Sequence, residues 1–282
     1  MTPALSPNPI TDLNALFTFP FMVNALEAGT IVAVLAAVVG WYMVLRSQSF
    51  AGHTLSVMAF PGAAGAALVG LPTALGYYLA CGSAALVMRG ARGSMRRAHG
   101  TETATIATVQ TVGLAAGFLF LSLNNAVLGG TETLLFGTFL GVSRGQVLTL
   151  LIVAVVALAL IAAAARPLLL ETIDPEAARA RGLPVAVLDT AFLLVLAAAV
   201  AATSQITGAL LVFALLVAPA AAAQELTTRP GLGLLLSVLF GLVIAWLGLG
   251  IAYFSIYPVG FYVTSLAFAV YLIARLIRAH RP

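Results

Sequence analysis

The sequence predicts an all-α integral membrane protein, a polytopic bundle of about eight or nine transmembrane helices, and three observations carry that prediction. Of the 282 residues, 62% are hydrophobic and only 8% are charged, against roughly 25% charged in soluble globular domains. Apolar runs of about 20 residues, the length that crosses roughly 30 Å of hydrocarbon, recur from one end of the chain to the other. The arginines gather in alternate loops between those runs, the asymmetry that orients a chain in a bilayer. A soluble enzyme is excluded by the first two observations.

The spans fall at about 21–45, 50–71, 73–89, 102–123, 145–165, 187–204, 206–224, 231–253 and 258–278. The first is apolar apart from Asn24, Glu27 and Thr30. The second carries Gly62, Gly65 and Gly70 and the fourth Gly113 and Gly117; such spacing lets helix backbones approach closely, within one subunit or between copies. The second and seventh each contain a proline, in Pro61-Gly-Ala-Ala-Gly-Ala and Pro219-Ala-Ala-Ala-Ala-Gln. A proline frees a backbone carbonyl that protein or cavity water must satisfy, so each site is either a packing kink or part of a transport path. Residues 131–143, between Gly129-Gly130 and Gly145, are too short to cross and read as a re-entrant or interfacial segment that also holds the pair Gly137 and Gly141.

With nine spans, Arg46, Arg89, Arg92, Arg96, Arg97, Arg166, Arg179, Arg181, Arg229, Arg275, Arg278 and Arg281 share one side and only Arg144 lies on the other. The positive-inside rule places the C-terminus in the cytoplasm and the N-terminal tail outside. The first twenty residues hold no Lys or Arg, so no charged secretory leader is expected. The one cysteine, Cys81, lies in an apolar run and excludes an internal disulfide. The chain has no lysine, so it has no Walker A loop, Schiff-base lysine or lysine general base, and ATP-driven work falls to a partner.

The most informative polar stretch is Glu171-Thr-Ile-Asp174-Pro175-Glu176-Ala-Ala-Arg179-Ala-Arg181-Gly182-Leu-Pro184. Asp174 suits an N-cap, Pro175 the first helical position, Glu176 the positive end, and Arg179 and Arg181 the negative end, with Gly182 and Pro184 as stops. About two turns of helix are unstable alone in water and require a surface. On the arginine-rich side that surface is a cytoplasmic partner protein or, as the alternative, lipid headgroups.

Several segments, in order, resemble a known family over nearly the whole chain: residues 20–29 (PFMVNALEAG), 44–68 (VLRSQSFAGHTLSVMAFPGAAGAAL), 134–143 (LLFGTFLGVS), 173–185 (IDPEAARARGLPV) and 204–224 (SQITGALLVFALLVAPAAAAQ). They are similar to the permease subunits of bacterial ABC importers for zinc, manganese or iron, the ZnuB/MntB-like permeases. The resemblance implies a metal-type ABC permease fold over residues 1–282 as a single transmembrane domain. It implies a homodimeric permease, two copies of an ABC ATPase subunit that hold the ATP, and an extracytoplasmic metal-binding protein. The segment at about 174–182, with Asp174, Pro175, Glu176, Arg179, Arg181 and Gly182, is similar to the helix that couples such permeases to the ATPase. The resemblance implies further that no cofactor is bound permanently, that Zn2+ or Mn2+ is cargo, and that the chain sits in the bacterial plasma (inner) membrane in contact with lipid and no nucleic acid.

One departure stands out. The family usually has an acid and an imidazole four residues apart after the first span, and here His53 stands in the acid's place and Val57 in the imidazole's. A single neutral imidazole suits zinc, copper, nickel or iron better than manganese. His53 is thus a candidate metal contact or gate, the alternative being a hydrogen-bonded histidine at a helix start. Ser56, Glu27, Asn24 and Gln205 complete the candidate transport path. Glu27 is the carboxylate within a span, where burial at the bilayer centre costs about 2.5 to 3.5 kcal/mol on insertion scales; near the outer end of its helix it contacts metal or simply reaches water. Gln205 and Gln224 flank the seventh span as groups that satisfy backbone or line the path. His99 belongs to a solvated basic loop and His280 to the tail.

Two other classes compete. An intramembrane enzyme needs a paired acid, base or nucleophile, and neither a G-x-S-x-G nor an H-E-x-x-H motif is present. A secondary transporter driven by an ion gradient usually shows intramembrane acids, for which Glu27 is a thin basis; an ABC permease of this family with another substrate is the nearer alternative. With few acids along the path, the permease is expected to hold metal only weakly and transiently. Glu176→Arg, or an insertion near Ala177, is expected to uncouple ATP hydrolysis from transport while membrane insertion survives; normal uptake by these variants would remove the coupling assignment.

Overall fold

The computed structural model describes residues 17–94, 101–123, 134–135, 137 and 141–280, and among these the regular structure is helical. The helices are α1 (Pro20–Leu45), α2 (Ser49–Leu68), α3 (Thr73–Ser94), α4 (Thr101–Leu123), α5 (Arg144–Ile173), α6 (Pro175–Ala180), α7 (Val185–Leu226), α8 (Pro230–Tyr253) and α9 (Val259–Ala279). Six segments are long and apolar enough to cross a membrane: α1, residues 106–123 of α4, α5, residues 185–209 of α7, α8 and α9. Arg96, Arg97, His99 and Arg281, and most of the 131–143 stretch, lie outside the described residues.

The ends of α1 define the two ends of the bundle. Near its start, Asn24 Nδ2 donates to Val142 O at 3.2 Å and Glu27 pairs with Arg144. Just past its end, Arg46 pairs with Glu171 and Asp189. Helices α1 and α5 therefore run in the same direction. Helix α8 returns alongside α1: Trp246 Nε1 donates to Thr30 Oγ1 at 2.9 Å, Ser237 Oγ to Ala37 O at 3.0 Å, and Gly233 faces Trp41.

Contacts of the buried helix α2 with α4 advance together, with Thr54 at Gln110, Met58 at Gly113 and Phe60 at Gly117, so the two are parallel. Helix α3 packs antiparallel on α2 through Gly62 and Gly76, where a Cβ on either would overlap the other's carbonyl. In lipid, helices associate through close packing and polar contacts rather than hydrophobic burial, which is why small residues mark these crossings. Gly40 meets the backbone of Leu216 in the same way, and Gln224 Nε2 donates to Trp41 O at 3.0 Å.

That last contact reveals the shape of α7. Asp189 and Gln224 both lie at the Arg46 end of the bundle, yet a straight helix would separate them by roughly 50 Å at about 1.5 Å per residue. The helix must reverse, and it does so at Gly208, whose φ of 76° and ψ of 162° fall outside the helical range. Residues 187–204 and 206–224 are thus separate antiparallel passes, as the span assignment expects, with the turn a few residues beyond the expected break. Counting both arms, the described residues pass nine times between the two ends. Pro61 and Pro219 lie inside their helices; the break comes at glycine instead, because only glycine occupies this backbone region without strain.

The described part of the 131–143 stretch fills the outside of that reversal. Gly137, itself at φ 77°, lies against residues 206–208, and a Cβ on Gly208 would overlap Leu135 O and Gly137 N. Gly208→Ala should therefore meet both the cost of a glycine-only conformation, about 1–3 kcal/mol, and a backbone clash. Thermal unfolding in detergent should show a clear fall in Tm for Gly208→Ala and Gly137→Ala. Gly82→Ala, where a Cβ meets open space, should leave Tm within the scatter of the parent.

Candidate functional site

The polar residues fall into three places. The first is His53 on α2, about one turn from the helix start at the Arg46 end. Its Nε2 lies 3.3 Å from Gln110 Nε2, and its ring meets Phe213 edge-on with centroids 4.8 Å apart. Thr54 Oγ1 bonds Gln110 Oε1 at 3.2 Å, which turns the amide nitrogen toward His53. The imidazole's lone pair then accepts from Gln110, and the ring proton of the neutral form sits on Nδ1. Nδ1 is buried and has no hydrogen-bond partner among the described residues. While Gln110 donates there, that lone pair is occupied. Ser56 is fully buried, and its hydroxyl donates to His53 O at 2.8 Å. Val57 is buried as well.

The second place lies where α1 gives way to α2. Arg46 Nη1 donates to Glu171 Oε2 at 2.6 Å, and Nη2 to Glu171 Oε1 at 3.2 Å and Asp189 Oδ1 at 3.0 Å. The Arg46, Glu171 and Asp189 side chains are only 5%, 9% and 24% exposed. Gln48 Nε2 adds a bond to Asp189 Oδ1 at 2.9 Å, and the guanidinium lies 5.1 Å from the centroid of the Phe192 ring. Burial alone would lower the Arg46 pKa; the hydrogen bonds and charges of Glu171 and then Asp189 outweigh it and hold the pKa above its ordinary value. The turn that presents both Arg46 and Gln48 closes with Ser47 at φ 55°, Gln48 N bonded to Met43 O and Ser47 N to Val44 O, a left-handed helix stop.

Helix α6 hangs directly from this knot, one residue after α5. Asp174 caps it by accepting from Ala177 N at 2.9 Å, Pro175 opens it, and Gly182 at φ 72° ends it with Leu183 N bonded to Ala178 O. Glu176, Arg179 and Arg181 are exposed and Ala178 is buried. The start, stop and length agree with the sequence reading.

The third place is the Arg144 end. Ser143 and Gln146 form a capping box that starts α5 and thereby sets Arg144 against Glu27, so that carboxylate is paired and partly exposed rather than an isolated ligand. Gln205 Nε2 donates to Ala201 O at 3.2 Å. It lines a cavity of about 490 Å³ with Thr73, Tyr77, Tyr78, Gln146 and Thr149, a set of neutral hydroxyls and amides. The candidate path residues thus occupy opposite ends of the bundle, and no cluster of three or more His, Cys, Asp or Glu exists among the described residues.

Gln110, Phe213 and the acidic partners of Arg46 were not singled out by sequence spacing. Their contacts join residues more than 50 positions apart, and only an excess of paired charges at one end of the bundle hints at them.

This architecture defines a polytopic helical membrane protein with a short helix outside the bundle, and its lysine-free sequence has no Walker A loop. The ABC 3 transport family matches residues 18–278. The chain belongs to that family of metal-transport permeases, in which ATP hydrolysis takes place on a separate subunit. The chelated iron transport system membrane protein YfeC of Yersinia pestis is 32% identical over 241 residues, covering 86% of this chain and 80% of that protein. The manganese transport system membrane protein MntC of Halalkalibacterium halodurans is 30% identical over 241 residues, with the same coverage. Among solved structures, PsaBC from Streptococcus pneumoniae in complex with Fab matches with a TM-score of 0.83 and 26% identity over 95% of each chain. Membership in an ABC family replaces the enzyme and gradient-driven alternatives.

Removing Arg46 would leave the buried Glu171 carboxylate without this counter-charge, at a cost of about 3–5 kcal/mol for a broken buried pair. Arg46→Gln is expected to lower Tm in detergent sharply, and adding Glu171→Gln should recover part of the loss. A Tm unchanged by Arg46→Gln would mean that the knot does not hold these helices together.

Proposed function

We propose that the chain is the plasma-membrane subunit of a bacterial importer for a divalent transition metal, assembled as a homodimer with two copies of an ABC ATPase and served by an extracytoplasmic metal-binding protein. The Arg46 end faces the cytoplasm, which follows from the crowding of arginine there and the isolation of Arg144 at the opposite end. Metal released by the binding protein enters from the Arg144 end. ATP-driven closure of the ATPases moves α6, and the permease alternates between outward and inward openings.

The observation that carries this reading is α6 itself. It is a capped helix of six residues that has no stability of its own, displays Glu176, Arg179 and Arg181 outward, and is anchored to the bundle by the Arg46 knot. That is the form expected of a part that receives force from a partner. The family membership and the names of relatives that move iron or manganese support metal as cargo.

His53 is the proposed pathway contact, with Gln110 as its latch. A lone imidazole suits zinc or iron better than manganese, so zinc is the first substrate to test, with iron and manganese beside it. The absence of a cluster of His, Cys, Asp or Glu among the described residues supports a weak, transient site, with selectivity left to the delivery protein. Metal-starved cells lacking the gene should regain accumulation of labelled zinc, iron or manganese when complemented with the parent, and lose most of it with a normally expressed His53→Ala. Equal accumulation with and without the gene for all three metals would send the substrate elsewhere and leave the permease architecture standing.

A further inference from the structure

Among the described residues, the cleft beside α6 holds an imbalance of charge. It measures about 760 Å³, and its lining includes Arg46, Arg89, Glu171, Arg179 and Asp189. Both acids in the lining already bond to Arg46. Arg89, near the end of α3, and Arg179, on α6, have no hydrogen bond or ion pair among the described residues. Two guanidinium groups from different elements therefore face one cleft with its internal acids engaged elsewhere. Gln48 and Thr172 add polar groups to the same walls.

Resting on the reading of α6 as the ATPase-facing helix, we propose that this cleft receives a carboxylate-bearing segment of the ATPase subunit, gripped between Arg89 and Arg179. Guanidinium groups favour planar, bidentate contact with carboxylates. Arg179 lies on the helix that the partner already touches, so the cleft is continuous with the proposed interface and its wall is partly made of α6. An acidic residue seated there would bear on α6 and on α3 together. Motion of the ATPase would then reach the helix packed on α2, which carries His53, as well as α5 and α7. In this arrangement Arg89 contributes to partner recognition although it lies far along the sequence from the coupling segment.

The test measures association of the purified permease in nanodiscs with its ATPase subunit, over a series of salt concentrations. The variants are Arg89→Glu, Arg179→Glu, their Gln counterparts, and Arg229→Glu as an exposed arginine outside the cleft lining. Each cleft reversal is expected to weaken association about ten-fold or more and to flatten its salt dependence. The Gln variants should show a smaller loss in the same direction, and Arg229→Glu should match the parent. Monodisperse elution and an unchanged Tm keep misfolding apart from lost recognition, and the Gln variants serve where a reversal fails to fold. Parent-like association and salt dependence in the cleft variants would overturn the proposal. So would variants that keep parent-like ATPase binding but change their response to the fraction of anionic lipid, because the occupant would then be a lipid headgroup. Failure of the parent itself to bind the ATPase would instead remove the reading of α6.

Discussion

A buried guanidinium at the end of α1 organises one whole end of this protein. Arg46 is almost inaccessible, and a charge in that position persists only with counter-charges and hydrogen bonds close by. Glu171 from the last turn of α5 and Asp189 from the first turns of α7 supply them to Nη1 and Nη2. Because α6 is the link between those two helices, the interaction that neutralises Arg46 also fixes where α6 stands. Such a pair adds little net stability over a well-packed apolar contact, but breaking it is costly, so it acts as a constraint on geometry more than as a source of stability. The left-handed turn at Ser47 serves the same end by turning Gln48 back onto Asp189.

At the other end the constraint is steric. The reversal at Gly208 allows the two arms of α7 to contact α1, α2, α3, α5, α8 and α9, making it the central element of the bundle. The bend is possible because Gly208 and Gly137 lack side chains where their backbones meet. One arm begins at the Arg46 knot, and the other carries Phe213 against His53. A change at the knot therefore has a physical route to the proposed pathway residue through packed side chains, and the proposed coupling role of α6 is consistent with that route.

Much of this was legible in the sequence, for identifiable reasons. Span length follows from bilayer thickness, and the α6 boundaries follow from local capping rules, so Asp174, Pro175 and Gly182 act as their residue types suggest. The paired passes around residue 205 were legible because two apolar stretches meet there, but the responsible glycine was not: Gly208 is one of 26 glycines, and nothing local separates a hairpin bend from a packing contact. The two prolines drew attention and break nothing. Glu27 reads as an intramembrane acid, and the sequence gives no sign that Arg144 lies beside it. Gln110 escaped notice because an amide in an apolar helix gains meaning only from its neighbour on another helix, here His53. Long-range polar pairing leaves no periodic signature in sequence.

The most direct test of the account is photo-cross-linking from α6 in cells. The native chain has a single cysteine, Cys81, which is fully buried, so a cysteine introduced as Glu176→Cys accepts a maleimide photo-probe selectively. The account predicts a covalent adduct between residue 176 and the ATPase subunit expressed with it, with a yield that changes when ATP is trapped on that subunit. Cross-links confined to lipid, with none to the ATPase in a complex that still transports metal, would contradict the central claim that α6 is where the bundle receives its driving force.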